Sequence, residues 1–404
     1  MYAKARRATA DGFWTKNRAR SSKSANRVLF SGTVCAVLVF TGLSIILPKN
    51  PPPAKAVGLE KEGDPVVVDQ SLILAPDSGN LGNGPLVQRA LTLADHPDVN
   101  VQMEHLLTDK REEILASLEL STRYLSHMVP ILEKNELPPE LAYLCLIESG
   151  YHQSARSHAG AVGMWQMIRS TSSRFELRTD PWIDQRLDFI ESTEGAARFL
   201  KYLQGRFDDW DHVLAAYNAG EGRVRKAVRR ARRAGLDPEM GNLRLPRETR
   251  IYVPAFYAAL LIAMEPERYG LFPDYEPPLD YIEVEVPGGV PLSKVARLLG
   301  CGVEELRRLN PAILRGRIPV SGEKYSLRVP CTIEAGKARE VVSSLNEVRY
   351  ISYRVRKGDT LWDISRKFGV SISRISRSGR GRSHPSRIYP GETLLVALTG
   401  GGAI

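Results

Sequence analysis

Moved forward by 69 positions, residues 282–329 lie on residues 351–398 without a gap. Leu292 then meets Leu361, Val295 meets Ile364, Gly300 meets Gly369, Leu306 meets Ile375, and Gly322-Glu323 meets Gly391-Glu392. Paired glycines at a fixed offset mark the same turns made twice, so the end of the chain holds two copies of one unit. Each copy reads strand, helix, short turn, helix, strand. Two helices on a two-stranded sheet, roughly 45 residues, is a small α+β unit that can still fold.

The 404 residues leave room for more than these copies, and 43% of them are hydrophobic, enough for real cores. A net charge of +10 points to an anionic partner: nucleic acid, a membrane surface or an acidic polymer. Residues 1–27 are basic, with Asp11 as their one acid, and residues 28–47 carry no charge. That run is long enough to cross a bilayer as one helix, with the basic side cytoplasmic and the rest exported. Ala54-Lys55-Ala56 offers a rival reading, a cleaved signal peptide, although the run is long for one. Both readings export the chain. Residues 48–100 are rich in Pro, Gly and Asp and read as a spacer. The cysteines, at 35, 145, 301 and 331, have no zinc-type spacing, and no His pair frames a metal site, so neither metal nor cofactor is expected. Whether Cys301 and Cys331 pair is left open by the spacing.

Residues 101–265 are helical in pattern and read as one all-α domain, followed by a Pro-rich linker over 266–280. Ile114, Leu118, Leu125, Met128 and Leu132 mark one long helix. Another starts near Ser192, and Asp211 can cap one that ends at Gly220. Pro138 and Pro139 suit the first turn of a helix that Gly150 stops. On it Leu141, Leu144, Cys145 and Glu148 share a face. A carboxyl on a buried stripe stays protonated towards neutral pH and can act as a general acid. Leu146 and Ile147 blur that face, so periodicity also permits a Glu on a polar edge.

Four short blocks decide between these readings: Glu148-Ser149, Gly163-Met164-Trp165-Gln166-Met167, Ala216-Tyr217-Asn218-Ala219-Gly220 and Glu248-Thr249-Arg250-Ile251-Tyr252-Val253. In order and spacing they resemble the lytic transglycosylase domain related to goose-type lysozyme. The stretch from Leu137 to Tyr151 is similar to the membrane-bound lytic murein transglycosylase D group. Met164 and Met167 stand where relatives often carry Leu and Phe. The two C-terminal copies, 281–331 and 351–398, resemble LysM, a module that binds N-acetylglucosamine-containing glycans, with a linker helix over 332–350 between them. The second opens with Gly358-Asp359-Thr360-Leu361 in that family's style, and these four are its expected glycan-binding residues. It has Gly379 where the family usually has Asn. The first copy keeps Leu309-Asn310-Pro311 but lacks that opening.

The resemblance implies a mainly α, lysozyme-like catalytic domain followed by two LysM-type modules, a monomer working in the cell envelope on peptidoglycan strands. It makes Glu148 the single catalytic residue. Glu148 would protonate the oxygen between N-acetylmuramic acid and N-acetylglucosamine. It would then take the proton from the C6 hydroxyl, which attacks C1 of the same sugar and leaves a 1,6-anhydro end. Ser149, Met164, Gln166, Tyr217, Asn218 and Tyr252 are the implied substrate-binding residues. Trp165 and Tyr217 offer faces for sugar rings, or belong to the core. Asp180, Asp184 and Asp188, with Trp182 and Arg186 between them, read as structural pairs. Trp362 and Phe368 read as module core. Nucleic acid fits an exported chain poorly. A water-using muramidase and an inactive wall-binding protein are the competing functions.

Overall fold

The structure, a computed structural model, describes residues 84–320, 324–377 and 387–398. The basic segment 1–27, the apolar run 28–47 and most of the expected spacer lie outside the described residues, as do Gly322, Glu323 and Gly379. Among the described residues no helix is long and apolar enough to cross a membrane.

Helices build the first part. Helix α1 (Pro85–Thr92) and α2 (Pro97–Leu107) come first, so the expected spacer does not reach residue 100. The prolines that suggested a spacer sit at the first helical positions, where a missing N–H costs nothing. Helix α3 (Arg111–Lys134) buries Ile114, Leu118, Leu125, Met128 and Leu132, the stripe its periodicity marks. A 3-10 turn, Pro139–Tyr143, then runs into the short α4 (Leu144–Ser149). The expected single helix is therefore two pieces, and every residue of both except Pro139 is buried. Gly150 ends α4 in the left-handed region, at φ 56°.

Helix α5 (Arg169–Arg174) is followed by α6 (Phe189–Gln204), capped by Asp188, and α7 (Trp210–Ala219). Asp209 caps α7, accepting from the Asp211 amide at 2.8 Å. The expected cap, Asp211, is instead buried inside the first turn. It takes a guanidinium from Arg89 of α1 at 2.7 Å and a hydroxyl from Tyr257 at 2.6 Å. Helix α8 (Glu221–Arg233) precedes α9 (Arg247–Met264). From Tyr252 to Ala263, α9 is buried at every position but Pro254, which makes it the central rod of the core. The carboxyl of Glu140, fully buried, seats the start of α1: a Cβ on Gly84 would lie 1.5 Å from its Oε1.

Residues 270–280 are laid along α3 rather than hanging free. Glu276 N–H donates to the Glu119 carbonyl and Leu279 N–H to that of Arg123, each at 3.0 Å. Strand β1 (Tyr281–Val286) pairs antiparallel with β2 (Tyr325–Pro330), with α10 (Leu292–Leu299) and α11 (Val303–Leu309) between them in the chain. This first copy is β-α-α-β, as its pattern suggests. Helix α12 (Ala335–Ser343) leads to the second copy, which departs from that plan. It holds β3 (Arg349–Arg354), α13 (Leu361–Phe368), a 3-10 turn at Ile372–Arg374, β4 (Ile375–Arg377) and β5 (Thr393–Leu398). Its sheet has three strands in the order β3-β5-β4, and the expected second helix is only that turn. Ser371-Ile372-Ser373-Arg374-Ile375 is poor in strong helix formers, and the β-branched Ile375 suits a strand.

The first copy is docked on the helical domain. Arg328 of β2, buried, is paired with Asp188, the cap of α6, with one N–O distance of 3.1 Å. Its guanidinium also lies 4.7 Å from the centre of the Phe189 ring. Burial alone would lower the Arg328 pKa, but Asp188 beside it holds it above its ordinary value. Asp184 N–H donates to the Ala312 carbonyl at 3.0 Å and Leu314 N–H to that of Trp182 at 2.9 Å. Asn310 of the Leu-Asn-Pro motif is spent on the module itself, bonding both the N–H and the carbonyl of Arg328.

Candidate active site

Glu148 lies one residue before the end of α4, with only 3% of its surface exposed. The Tyr252 hydroxyl donates to its Oε1 at 2.8 Å, and Oε2 has no protein partner. Burial pushes the Glu148 carboxyl up to about 8; the bond from Tyr252 pulls it down, and the charge of Glu248 pushes it up. At neutral pH it is therefore a carboxylic acid with its proton still on.

Helix α9 supplies three side chains within about one turn. Tyr252 reaches Glu148, Thr249 donates to the Asn218 Oδ1 at 2.8 Å, and Glu248, exposed, precedes Tyr252 by four residues. Asn218 comes from the end of α7, and its Nδ2 is buried without a protein partner. Glu148 and Asn218 are thus held by the same two turns of α9.

The block from 163 to 167 is a tight loop. Val162 and Met167 pair backbone to backbone, at 3.2 Å and 3.3 Å. Gly163, at φ 83°, is required there: a Cβ would lie 1.7 Å from the Arg186 carbonyl. Gln166 sits at φ 45°, a left-handed backbone that a non-glycine residue adopts only under constraint. Its Nε2 donates to the Gly163 carbonyl at 2.7 Å, while its Oε1 is buried without a protein partner. Ser149 does not point outwards. Its hydroxyl donates to the Met164 carbonyl at 2.8 Å and ties the loop to α4. The Arg186 guanidinium, clamped by Asp184, donates to the Met167 carbonyl at 3.1 Å.

The aromatic members of the blocks are core. Trp165 is fully buried and its indole N–H donates to Thr193 at 2.9 Å; the Tyr217 hydroxyl donates to the Trp165 carbonyl at 2.7 Å. Neither offers an open face to a sugar ring. Met164 and Met167 are buried too. The structure therefore gathers Glu148, Tyr252 and Asn218 around α9 and seats Gln166 in the adjoining loop. It assigns Ser149, Met164, Trp165 and Tyr217 to the scaffold behind them. The three aspartates are structural, as their spacing suggests: Asp180 pairs with Arg178, Asp184 with Arg186 and Asp188 with Arg328. No local pattern gives a role to Glu248, or to Gln153, whose Nε2 is also buried without a protein partner.

In the second copy the motif Gly358-Asp359-Thr360-Leu361 builds a turn. Asp359 accepts from the Tyr353 hydroxyl at 2.8 Å and the Arg356 amide at 2.7 Å. Thr360 caps α13, which begins at Leu361, in a reciprocal capping box with Asp363. Trp362 is not core: it is 55% exposed, with the Arg366 guanidinium 4.7 Å from its ring centre. Phe368 packs against the module's small core. Cys301 and Cys331 are both free thiols.

Among the described residues no group of His, Cys, Asp and Glu could hold a metal ion. What the residues around Glu148 can do is give a proton to a buried ligand oxygen and bond polar groups through Gln166 and Asn218.

Comparison with known proteins finds three domain families along the chain. Residues 108–238 match the transglycosylase SLT domain, residues 281–348 the LysM-like domain of lytic transglycosylase MltD, and residues 353–397 the LysM domain. The chain is 31% identical to the membrane-bound lytic murein transglycosylase D of Escherichia coli (strain K12), over 66% of this chain and 61% of that protein. It thus spans about three fifths of that relative's length. It is 47% identical to a putative tributyltin chloride resistance protein of an Alteromonas species, over 26% of this chain and 51% of that one. The X-ray structure of lytic transglycosylase Slt from Pseudomonas aeruginosa superposes with a TM-score of 0.32 at 19% identity, covering 50% of this chain and 38% of that chain. The chain therefore contains, in order, a transglycosylase SLT domain, a LysM-like domain of the lytic transglycosylase MltD type and a LysM domain.

Proposed function

We propose that the chain is a peptidoglycan lytic transglycosylase of the bacterial cell envelope, with the apolar run 28–47 as its tether. It cleaves the β-1,4 bond between N-acetylmuramic acid and N-acetylglucosamine and leaves 1,6-anhydro ends. One observation carries the reading: a buried carboxyl, protonated up to a pH of about 8, with one oxygen held by Tyr252 and the other without a protein partner. Glu148 gives its proton to the glycosidic oxygen, so the C1–O bond breaks with the leaving sugar neutral. The carboxylate then takes the C6 hydroxyl proton as that oxygen closes on C1. The acid is regenerated and no water enters. The intramolecular hydroxyl outcompetes solvent through its effective concentration, which suits a site this buried. Asn218 Nδ2 and Gln166 Oε1 are the groups best suited to bond the sugar's acetamido and hydroxyl groups.

A second reading has its own support. Glu248 lies close enough for its charge to act on Glu148, so a pair of carboxylates is present, as water-using glycosidases employ. Mass spectrometry of fragments released from purified sacculi separates the two. Anhydro ends, one water lighter than reducing ends, support the transglycosylase; reducing ends support the muramidase. No release by wild type, or equal release by Glu148→Gln, overturns both.

A further inference from the structure

Among the described residues, no other helix resembles α8 (Glu221–Arg233). Its inward face is apolar: Val224, Ala227, Val228 and Ala231 are buried. The rest of its surface is cationic. Arg223, Arg225 and Lys226 are exposed in its first half, and Arg229, Arg230, Arg232 and Arg233 in its second. Its one acid is Glu221 in the first turn. None of the seven cations has an ion-pair partner among the described residues. At 100° per residue they occupy about half the helix circumference. Seven like charges so placed repel one another, and that repulsion is relieved when anions arrive. Six of the seven are arginines, whose planar forks match carboxylates two bonds at a time.

The position of this helix selects the anion. Helix α8 follows Gly220, two residues after Asn218, so it starts beside the candidate site. It is 13 residues and therefore about 20 Å long. An extended peptide of four or five residues spans about 15 Å. We propose that the cationic face of α8 binds the free carboxylates of the stem peptides that hang from a glycan strand held at Glu148. This inference rests on the reading that the substrate is peptidoglycan. An anionic lipid surface fits less well. A plane touches one side of a helix, whereas these charges wrap half of it, and no exposed apolar side chain within α8 is there to enter a bilayer.

The test uses the full chain and two triple variants, Arg225→Gln/Arg229→Gln/Arg232→Gln and Lys226→Gln/Arg230→Gln/Arg233→Gln. Gln keeps helix propensity, and the buried face is untouched. Binding and KM are measured at low salt on sacculi that retain their stems and on glycan strands stripped of stems by an amidase. Each variant is expected to weaken binding to stem-bearing sacculi roughly five- to tenfold, to raise KM alike, and to leave kcat and stripped strands unchanged. Added salt should erase the difference. Equal losses on both polymers, or no loss on either, would overturn the inference. So would binding to phosphatidylglycerol vesicles that the variants abolish while stem-bearing sacculi are bound as before. Because binding is read apart from cleavage, failure of wild type to cleave either polymer would sink the functional reading alone.

Discussion

At the scale of the residue, Glu148 is held by two opposed influences that mutation can separate. The Tyr252 bond favours the charged form and the neighbouring Glu248 disfavours it, both on top of burial. Tyr252→Phe therefore should move the alkaline limb of the pH–activity profile up, with activity falling about 10- to 100-fold from lost positioning. Glu248→Gln should move the same limb down, by less, because Glu248 is exposed and screened, and the shift should shrink with salt. A loss of about 100-fold or more in Glu248→Gln, without a shift, would favour the muramidase. Stability follows the same logic. The folded carboxyl titrates near 8 and the unfolded one near 4.5. Folding with Glu148 is thus favoured fully below about 4.5 and progressively penalised as pH rises towards 8, by at most roughly 5 kcal/mol. Glu148→Gln should match wild type in Tm at pH 4 and exceed it at pH 8; equal Tm values at both would contradict the raised pKa.

At the scale of the element, the loop from Gly160 to Met167 shows what the sequence conveys and what it withholds. The block Gly163 to Met167 marks the loop as special, and Gly163 can be read as a close approach. What it approaches cannot, because the Arg186 carbonyl arrives from more than twenty residues away. The two glycines make a contrast to test. Gly163→Ala meets that carbonyl at 1.7 Å and should cost about 2–4 kcal/mol and most of the activity. Gly160→Ala, also at positive φ but with nothing within 4 Å, should cost only about 1 kcal/mol. Chemical denaturation measures both. Local pattern was readable where it was strong: the buried stripe of α3, the stop at Gly150, the four blocks. It misled where composition outweighed position. The prolines opening α1 and α2 looked like spacer, Asp211 looked like a cap because it stands two residues after the true one, Asp209, and Trp362 looked like core.

At the scale of the molecule, the LysM-like copy is part of the body that carries the candidate site. Repeat matching finds the module but says nothing of where it docks, since the Asp188–Arg328 pair joins residues 140 positions apart. Arg328→Ala strands Asp188, a buried charge at the cap of α6, and should cost about 3–5 kcal/mol. In wild type, calorimetry should show the helical domain and the first copy melting together; in Arg328→Ala the two transitions should separate. Separate transitions already in wild type would contradict a joint body.

The proposed mechanism needs a proton that Glu148 keeps at neutral pH. Labelling the glutamate side chains with carbon-13 and following the carboxyl resonance that Glu148→Gln removes, as pH is raised from 4 to 10, reads that proton directly. A midpoint near 8 is what burial beside Tyr252 and Glu248 requires. A midpoint near 4.5, the value of an ordinary carboxyl, would leave no acid at neutral pH and contradict the mechanism.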